Sequence, residues 1–226
     1  MHVTIITLFP QMFEGVFNHS ILKRAQQNGK LSIEFLNLKE FGSGVHKMVD
    51  DTPYGGGVGM VLKVDILDQA IDAARKKDLK SRVILLDPKG RVYTHTVAKE
   101  LSTFEHLILV CGHYEGFDER IRSLVDDEIS IGDYVLSGGE IAAMAITESV
   151  ARLTAGVLVK EDASRDESFS ETKGGILEHP QYTRPQEYKG MRVPDVLLSG
   201  HAARITEFRD QEAKALTKKR RPDLLK

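Results

Sequence analysis

The sequence predicts an α/β protein: a mostly parallel sheet with helices on both faces, followed by a smaller, mainly helical segment. Three observations carry this. Short apolar runs alternate with amphipathic segments over residues 1–158, the order a parallel sheet needs to cross back between strands. Three of those runs end at glycine-bearing loops: DPKGR at 87–91, CGHYEG at 111–116 and ISIGDYVLSGGE at 129–140. After Gly156 the chain turns polar, and KEDASRDESFSE at 160–171 holds five carboxylates and a single large apolar residue, the composition of a linker. The expected organisation is therefore a domain over residues 1–158, a linker over 159–170 and a small helical domain over 171–226.

Each element has a local reason. Residues 3–8 are a β-branched run and read as a buried strand stopped by Pro10. Residues 12–27 place Phe13, Val16, Phe17, Ile21 and Leu22 at helical spacing, ended by Asn28-Gly29. Residues 31–38, LSIEFLNL, alternate as a second strand does. Residues 39–60 are too long and polar for a plain connection; Asp50, Asp51 and glycines 55–57 read as a mobile polar lid, or as simple flexibility. Residues 65–76 form an amphipathic helix with Ile66, Leu67, Ala70, Ile71 and Ala74 on one face. Strands over 82–86, 107–111 and 128–131 then alternate with helices near 96–102, 118–124 and 139–153. Beyond the linker, Pro180, Pro185 and Pro194 punctuate a turn-rich stretch. Residues 196–220 read as a helix interrupted at Gly200, with Ile205, Phe208 and Leu216 on a narrow face.

Composition narrows the function. With 28% charged and 41% hydrophobic residues among 226, the chain is an ordinary globular protein long enough for a proper core. The net charge is −2, but residues 214–226 hold six basic residues and one acidic, which leaves the remainder at −7 (−2 minus +5). That basic tail is either a phosphate-binding surface or a solvated helix end. Cys111 is the only cysteine, so neither an intrachain disulfide nor a cysteine zinc site can form, and no spacing of the eight histidines predicts a metal site. The N-terminal MHVTIITLFP lacks the basic opening of a signal peptide, and no apolar run approaches the ~18 residues of a membrane span. A cytoplasmic protein is expected. There is no G-x-G-x-x-G after the first strand and no P-loop, so an ordinary dinucleotide or nucleoside-triphosphate site is disfavoured. The glycine loops still point to a ligand, because α/β sheets bind beyond the carboxyl ends of their strands. Gly132, Gly138 and Gly139 would let main-chain groups approach a flat molecule closely.

Four motifs carry a resemblance: VDDTPYGGGVGM at 49–60, CGHYEGFDERI at 111–121, IGDYVLSGGE at 131–140 and HPQYTRP at 179–185. Together with TLFP near the start and RRPDLL near the end, they make nearly the whole chain resemble the bacterial tRNA (guanine-N1)-methyltransferases of the SPOUT class. The resemblance implies a deep trefoil knot around the 85–140 loops, S-adenosyl-L-methionine as methyl donor, guanosine 37 beside the anticodon of tRNA as substrate, and a homodimer. It implies tRNA rather than DNA as partner. Magnesium is a further family-level expectation. Donor contacts carry over to Leu86, Pro88 and Gly90; to Gly112, Tyr114, Glu115 and Gly116; and to Ile131, Gly132, Asp133, Tyr134, Val135, Leu136, Gly138 and Gly139.

Methylating N1 of guanine requires a positioned donor, loss of the N1 proton, and a cation at O6 where charge builds. The family's base is an aspartate in an acidic-Asp-Ser-Phe motif, matched here by Asp166-Glu167-Ser168-Phe169 with the two acids exchanged. Glu167 falls on the base position, with Asp166 as the alternative. Arg152 matches the arginine that stabilises O6, and in the dimer it and the linker carboxylate of one subunit would complete the donor pocket of the other. His113 stands where some relatives carry arginine. His46 and Asp50 match lid residues that approach the RNA in relatives, and Lys218, Lys219, Arg220 and Arg221 are the expected phosphate contacts. Two rival readings are a methyltransferase acting on a ribose 2′-hydroxyl and a non-catalytic sensor that keeps the donor pocket.

Overall fold

The computed structural model describes residues 1–75, 80–158 and 166–225. The chain divides into two compact units, Met1–Val159 and Lys160–Lys226.

The first unit opens with β1 (His2–Thr7), a 3-10 turn at Pro10–Phe13, α1 (Glu14–Phe17), α2 (Ser20–Gln27) and β2 (Ser32–Asn37). The two-residue strands β3 (Asp50–Asp51) and β4 (Val61–Leu62) pair antiparallel. There follow α3 (Val64–Arg75), β5 (Ser81–Val92), α4 (His95–Leu101), β6 (His106–Cys111), β7 (Asp127–Ser130) and α5 (Glu140–Ala151). Five strands form one sheet in the order β2-β1-β6-β5-β7, and every pairing in it is parallel. The expected α/β architecture is present.

Side chains alternate across this sheet with the strand period of two. Val3, Ile5, Ile84, Leu107 and Leu109 join the core beneath α5, α4 and α2. Ile6, Val83, Leu85, Ile108 and Val110 join a second core, with the Ile66, Leu67, Ala70 and Ile71 face of α3. Burial on both faces explains why the central strands read as continuous apolar runs.

Three elements differ from expectation. The helix expected over 12–27 is broken into the 3-10 turn, α1 and α2. Asn18, His19 and Ser20 are weak helix formers; His19 is extended and Ser20 has φ +49°, while the freed carbonyl of Phe17 accepts from Gln26 Nε2 at 2.8 Å. The strand expected to stop at residue 86 runs on to Val92. Leu86 and Arg91 both pair with Ile129, so residues 87–90 are an excursion from one strand rather than its end. Arg91 anchors the rejoined strand through hydrogen bonds to Glu100 at 2.9 Å and Asp127 at 2.6 Å. The helix expected at 118–124 is a 3-10 turn, Glu119–Ser123, in which the Asp118 carboxylate accepts from Arg120 N at 3.0 Å. Residue 76 of the expected 65–76 helix and residues 159–165 of the expected linker lie outside the described residues.

In the second unit, β8 (Glu187–Tyr188) and β9 (Met191–Arg192) form a hairpin before α6 (Asp195–Leu198) and α7 (Ala202–Arg220). Gly200, at φ +73°, breaks the helical stretch where the sequence places the interruption. Thr217 is buried on α7; its hydroxyl donates to Ala213 O at 2.7 Å and accepts from Leu177 N at 3.1 Å, tying the preceding coil to the helix. No helix among the described residues is long and apolar enough to cross a membrane.

Candidate active site

At the 87–90 excursion of β5 and beyond the carboxyl ends of β6 and β7, the three glycine loops meet around a cavity of about 290 Å³. Each loop arrives for a local reason. The excursion at 87–90 is turned by Asp87, whose carboxylate accepts from Lys89 N at 2.9 Å. The second loop turns at Tyr114, φ +59°, and Gly116, φ +107°. The third turns at Gly132, φ +149°, where Ser130 Oγ donates to Gly132 O at 3.1 Å.

The second and third loops are clasped together. His113 and Gly138 form an antiparallel bridge, and Gly139 N donates to Gly112 O at 2.9 Å. A Cβ on Gly139 would stand 2.7 Å from Cys111 Cα and 2.9 Å from Gly112 N, both backbone atoms, so only glycine fits that crossing. Gly139 also caps α5, so the first amides of that helix begin where the clasp ends.

A buried carboxylate fixes the clasp from below. Glu140, 2% exposed, accepts from Thr7 Oγ1 at 2.7 Å, and that hydroxyl in turn accepts from Phe9 N at 2.9 Å. This chain links the end of β1 to the first turn of α5, where the helix dipole favours a negative charge. Burial, and secondarily the charge of Glu140, raises the pKa of the Cys111 thiol well above its ordinary value. Sequence reasoning quoted Glu140 within a motif and gave it no role; a carboxylate directly after a glycine pair at a helix start was the available signal.

Thirteen of the fifteen expected donor contacts line this cavity: Leu86 and Pro88; Gly112, Tyr114, Glu115 and Gly116; Ile131, Gly132, Tyr134, Val135, Leu136, Gly138 and Gly139. Gly90 and Asp133 do not line it. Gly90 instead packs against the backbone at Glu128 and Ile129, so it serves the strand excursion. His113 and Phe117 also line the cavity and were absent from the expected set. The Phe117 ring lies 2.8 Å from where a Gly112 Cβ would stand, and the Phe9 and His113 rings sit 5.0 Å apart.

The lid segment returns to this site by backbone pairing. Glu115 N donates to Met60 O at 3.0 Å, and Leu62 N donates to Gly116 O at 2.9 Å. Asp50 neighbours Tyr114, whose phenol pKa is raised by burial first and by the Asp50 carboxylate next. His46 is exposed farther along the same loop.

The remaining expected residues are placed as follows. Arg152 is the C-cap of α5, its N–H bonded back to Glu148 O at 3.2 Å. Glu167 and Asp166 belong to the second unit. Glu167 is half-buried in a turn closed by Ser170 N donating to Glu167 O at 3.2 Å, while the Asp166 side chain is 74% exposed and 3.9 Å from Lys173 Nζ. Phe169 holds φ +71° in that turn. Lys218, Lys219 and Arg220 are exposed at the end of α7. Arg221 is paired bidentately with Asp223, at 2.9 and 2.7 Å, so its charge is already compensated. No group of three His, Cys, Asp or Glu among the described residues could hold a metal ion.

Over residues 1–226 the sequence matches the family model described as tRNA (Guanine-1)-methyltransferase TrmD. The chain belongs to that family. It is 54% identical over 227 residues to the tRNA (guanine-N(1)-)-methyltransferase of Anoxybacillus flavithermus, spanning all of this chain and 91% of the relative. The proteins of the same name in Listeria monocytogenes and Shouchella clausii are 50% and 52% identical, each across all of this chain and 92% of theirs. Membership agrees with the motif resemblance, and two of the motifs that carried it, those at 111–121 and 131–140, help wall the cavity.

Proposed function

We propose that this chain transfers the methyl group of S-adenosyl-L-methionine to N1 of guanosine 37, next to the anticodon of tRNA, in the cytoplasm. The observation that carries the reading is the cavity itself: three backbone-rich loops around one hollow, two of them clasped together, in a chain belonging to a tRNA guanine-N1 methyltransferase family.

The residues present fit the donor. Leu86, Ile131 and Leu136 supply apolar walls for a base, the clasped glycines expose main-chain groups, and Asp87 and Glu115 offer negative charge to a sulfonium. When bound, S-adenosyl-L-methionine supplies an electrophilic methyl group. Everything else falls to the chain. Glu167, or Asp166 in its place, accepts the N1 proton; its half-buried turn favours Glu167 over the exposed, lysine-paired Asp166. Arg152 places a guanidinium at O6, where negative charge accumulates as N1 is deprotonated.

In this reading the fold is the knotted SPOUT type, with segments 85–140 forming the knot, residues 1–158 the donor domain and residues 171–226 the tRNA-binding domain. Two copies share each site, Arg152 and the carboxylate of one completing the donor pocket of the other. Exposed Ile141 on α5 and Met12 on the adjacent 3-10 turn are apolar surface suited to such a partner. His46 and Asp50 approach the tRNA from the lid, and Lys218, Lys219 and Arg220 contact phosphates, with Arg221 contributing least.

The test is transfer of labelled methyl to a tRNA transcript with guanosine 3′ of the anticodon, beside one carrying adenosine there. The expected result is incorporation into the guanosine transcript alone. Equal labelling of both would favour ribose methylation, and labelling of neither with donor bound would favour a sensor.

A further inference from the structure

The second unit contains a hollow that the reading above does not use. It occupies about 430 Å³ within the second unit, inside the roughly 300–1,000 Å³ range of small-ligand sites, and half of its lining comes from the HPQYTR segment at 179–184. Its composition is divided. Val193, Leu197, Leu198 and Ile205 form an apolar wall, and Tyr182, Arg184 and Arg209 stand exposed at the rim. Neither arginine makes an ion pair or a side-chain hydrogen bond among the described residues, although Arg221 and Arg192 in the same unit do pair with carboxylates.

His179 supplies the second observation. Its Nε2 is fully enclosed and has no hydrogen-bond partner among the described residues, a costly state for a polar atom. Burial, and then the charge of Arg209, lowers its pKa, so the ring is held neutral and the Arg209 guanidinium is felt at this wall of the hollow. An apolar wall, an aromatic ring and two guanidiniums without an ion pair among the described residues are what an unstacked nucleotide requires: a face to stack on and cations for its phosphates.

We infer that the hollow lined by His179, Tyr182, Arg184, Arg209 and Leu197 is a second nucleotide-binding subsite, which takes an unstacked nucleotide of the tRNA other than the methylated guanosine. This rests on tRNA being the substrate. Arg184 and Arg209 hold the flanking phosphates, and Tyr182 and Leu197 sandwich the base.

The experiment compares the full-length protein with Arg209→Ala, Arg184→Ala and Tyr182→Ala, all at exposed positions where folding tolerates change, using labelled methyl transfer to the guanosine transcript. Each variant is expected to raise KM for tRNA roughly tenfold, with kcat and the donor dissociation constant changed less than about twofold. Each arginine variant also lowers the salt dependence of tRNA binding by about one unit of slope, and Arg209→Lys restores part of the affinity. Tyr182→Ala leaves the salt slope unchanged, which separates stacking from a general basic surface. If the parent methylates the transcript and all three variants keep its KM, the subsite is wrong and the catalytic reading stands. An effect from the arginines alone, with none from Tyr182→Ala, overturns the nucleotide assignment in favour of a charged patch. A parent that transfers no methyl to tRNA removes the catalytic reading, and the subsite with it.

Discussion

The two units carry the proposed chemistry in opposite ways. Around the donor cavity, function is written in backbone: the clasp of Gly139 on Gly112, the left-handed turn at Tyr114 and the excursion in β5 are steric facts that no side chain can replace. In the second unit it is written in side chains on turns and one helix, where Glu167, Lys218 and Arg209 could each be exchanged without disturbing a core. The lesson is that a pocket built of close approaches fails by misfolding, while a set of charged groups fails by losing rate or affinity. Substitutions in the two units should therefore separate cleanly by what they break.

The largest expected effect lies in the second unit. Glu167→Ala should lower kcat by roughly 10²–10⁴-fold with the melting temperature unchanged, while Asp166→Ala should cost under about tenfold. Full activity in Glu167→Ala would transfer the base to another group. Arg152→Ala, at a charged side chain of the first unit away from the clasp, should cost about 10²–10³-fold, again without loss of stability. Mixed with a donor-loop variant, inactive Arg152→Ala should regain activity if two copies share the site; absence of any recovery argues that each copy works alone.

At the glycine clasp of the first unit the signature reverses. Gly139→Ala should destabilise by about 3 kcal/mol in denaturant titration and abolish donor binding, since the new methyl meets fixed backbone on two sides. Thr7→Val should cost about 1–3 kcal/mol, because it leaves the Glu140 carboxylate buried without its hydroxyl donor. A parent-like melting curve for either would mean that the clasp yields more readily than its geometry allows.

Smaller effects sharpen the contrast. A raised pKa disfavours the thiolate at neutral pH, so Cys111 should stay unreactive to alkylating reagents in the folded protein and react fully once denatured. Lys218→Ala, Lys219→Ala and Arg220→Ala should each weaken tRNA binding about two- to threefold, fading with salt. Arg221→Ala should do less, because Asp223 already holds that guanidinium.

The same division governs what could be read from sequence. The sheet was legible because burial on both faces leaves unbroken apolar runs, and the glycine loops of the cavity because glycine has few uses besides turns and close approach. The break at residues 18–20 was not, since apolar spacing continues across it and only the backbone reverses. DPKGR looked like a strand end because nothing local shows that Arg91 regains the same partner as Leu86. The Thr7 to Glu140 bond joins residues 133 positions apart, and the hollow behind HPQYTRP needs α7 to complete it. Both are long-range facts.

The most direct measurement is nucleoside analysis by mass spectrometry of tRNA incubated with the protein, with and without S-adenosyl-L-methionine. The account predicts 1-methylguanosine, formed only when the donor is added and only from transcripts with guanosine beside the anticodon. Methylation at a ribose hydroxyl, at another base atom, or not at all would contradict it.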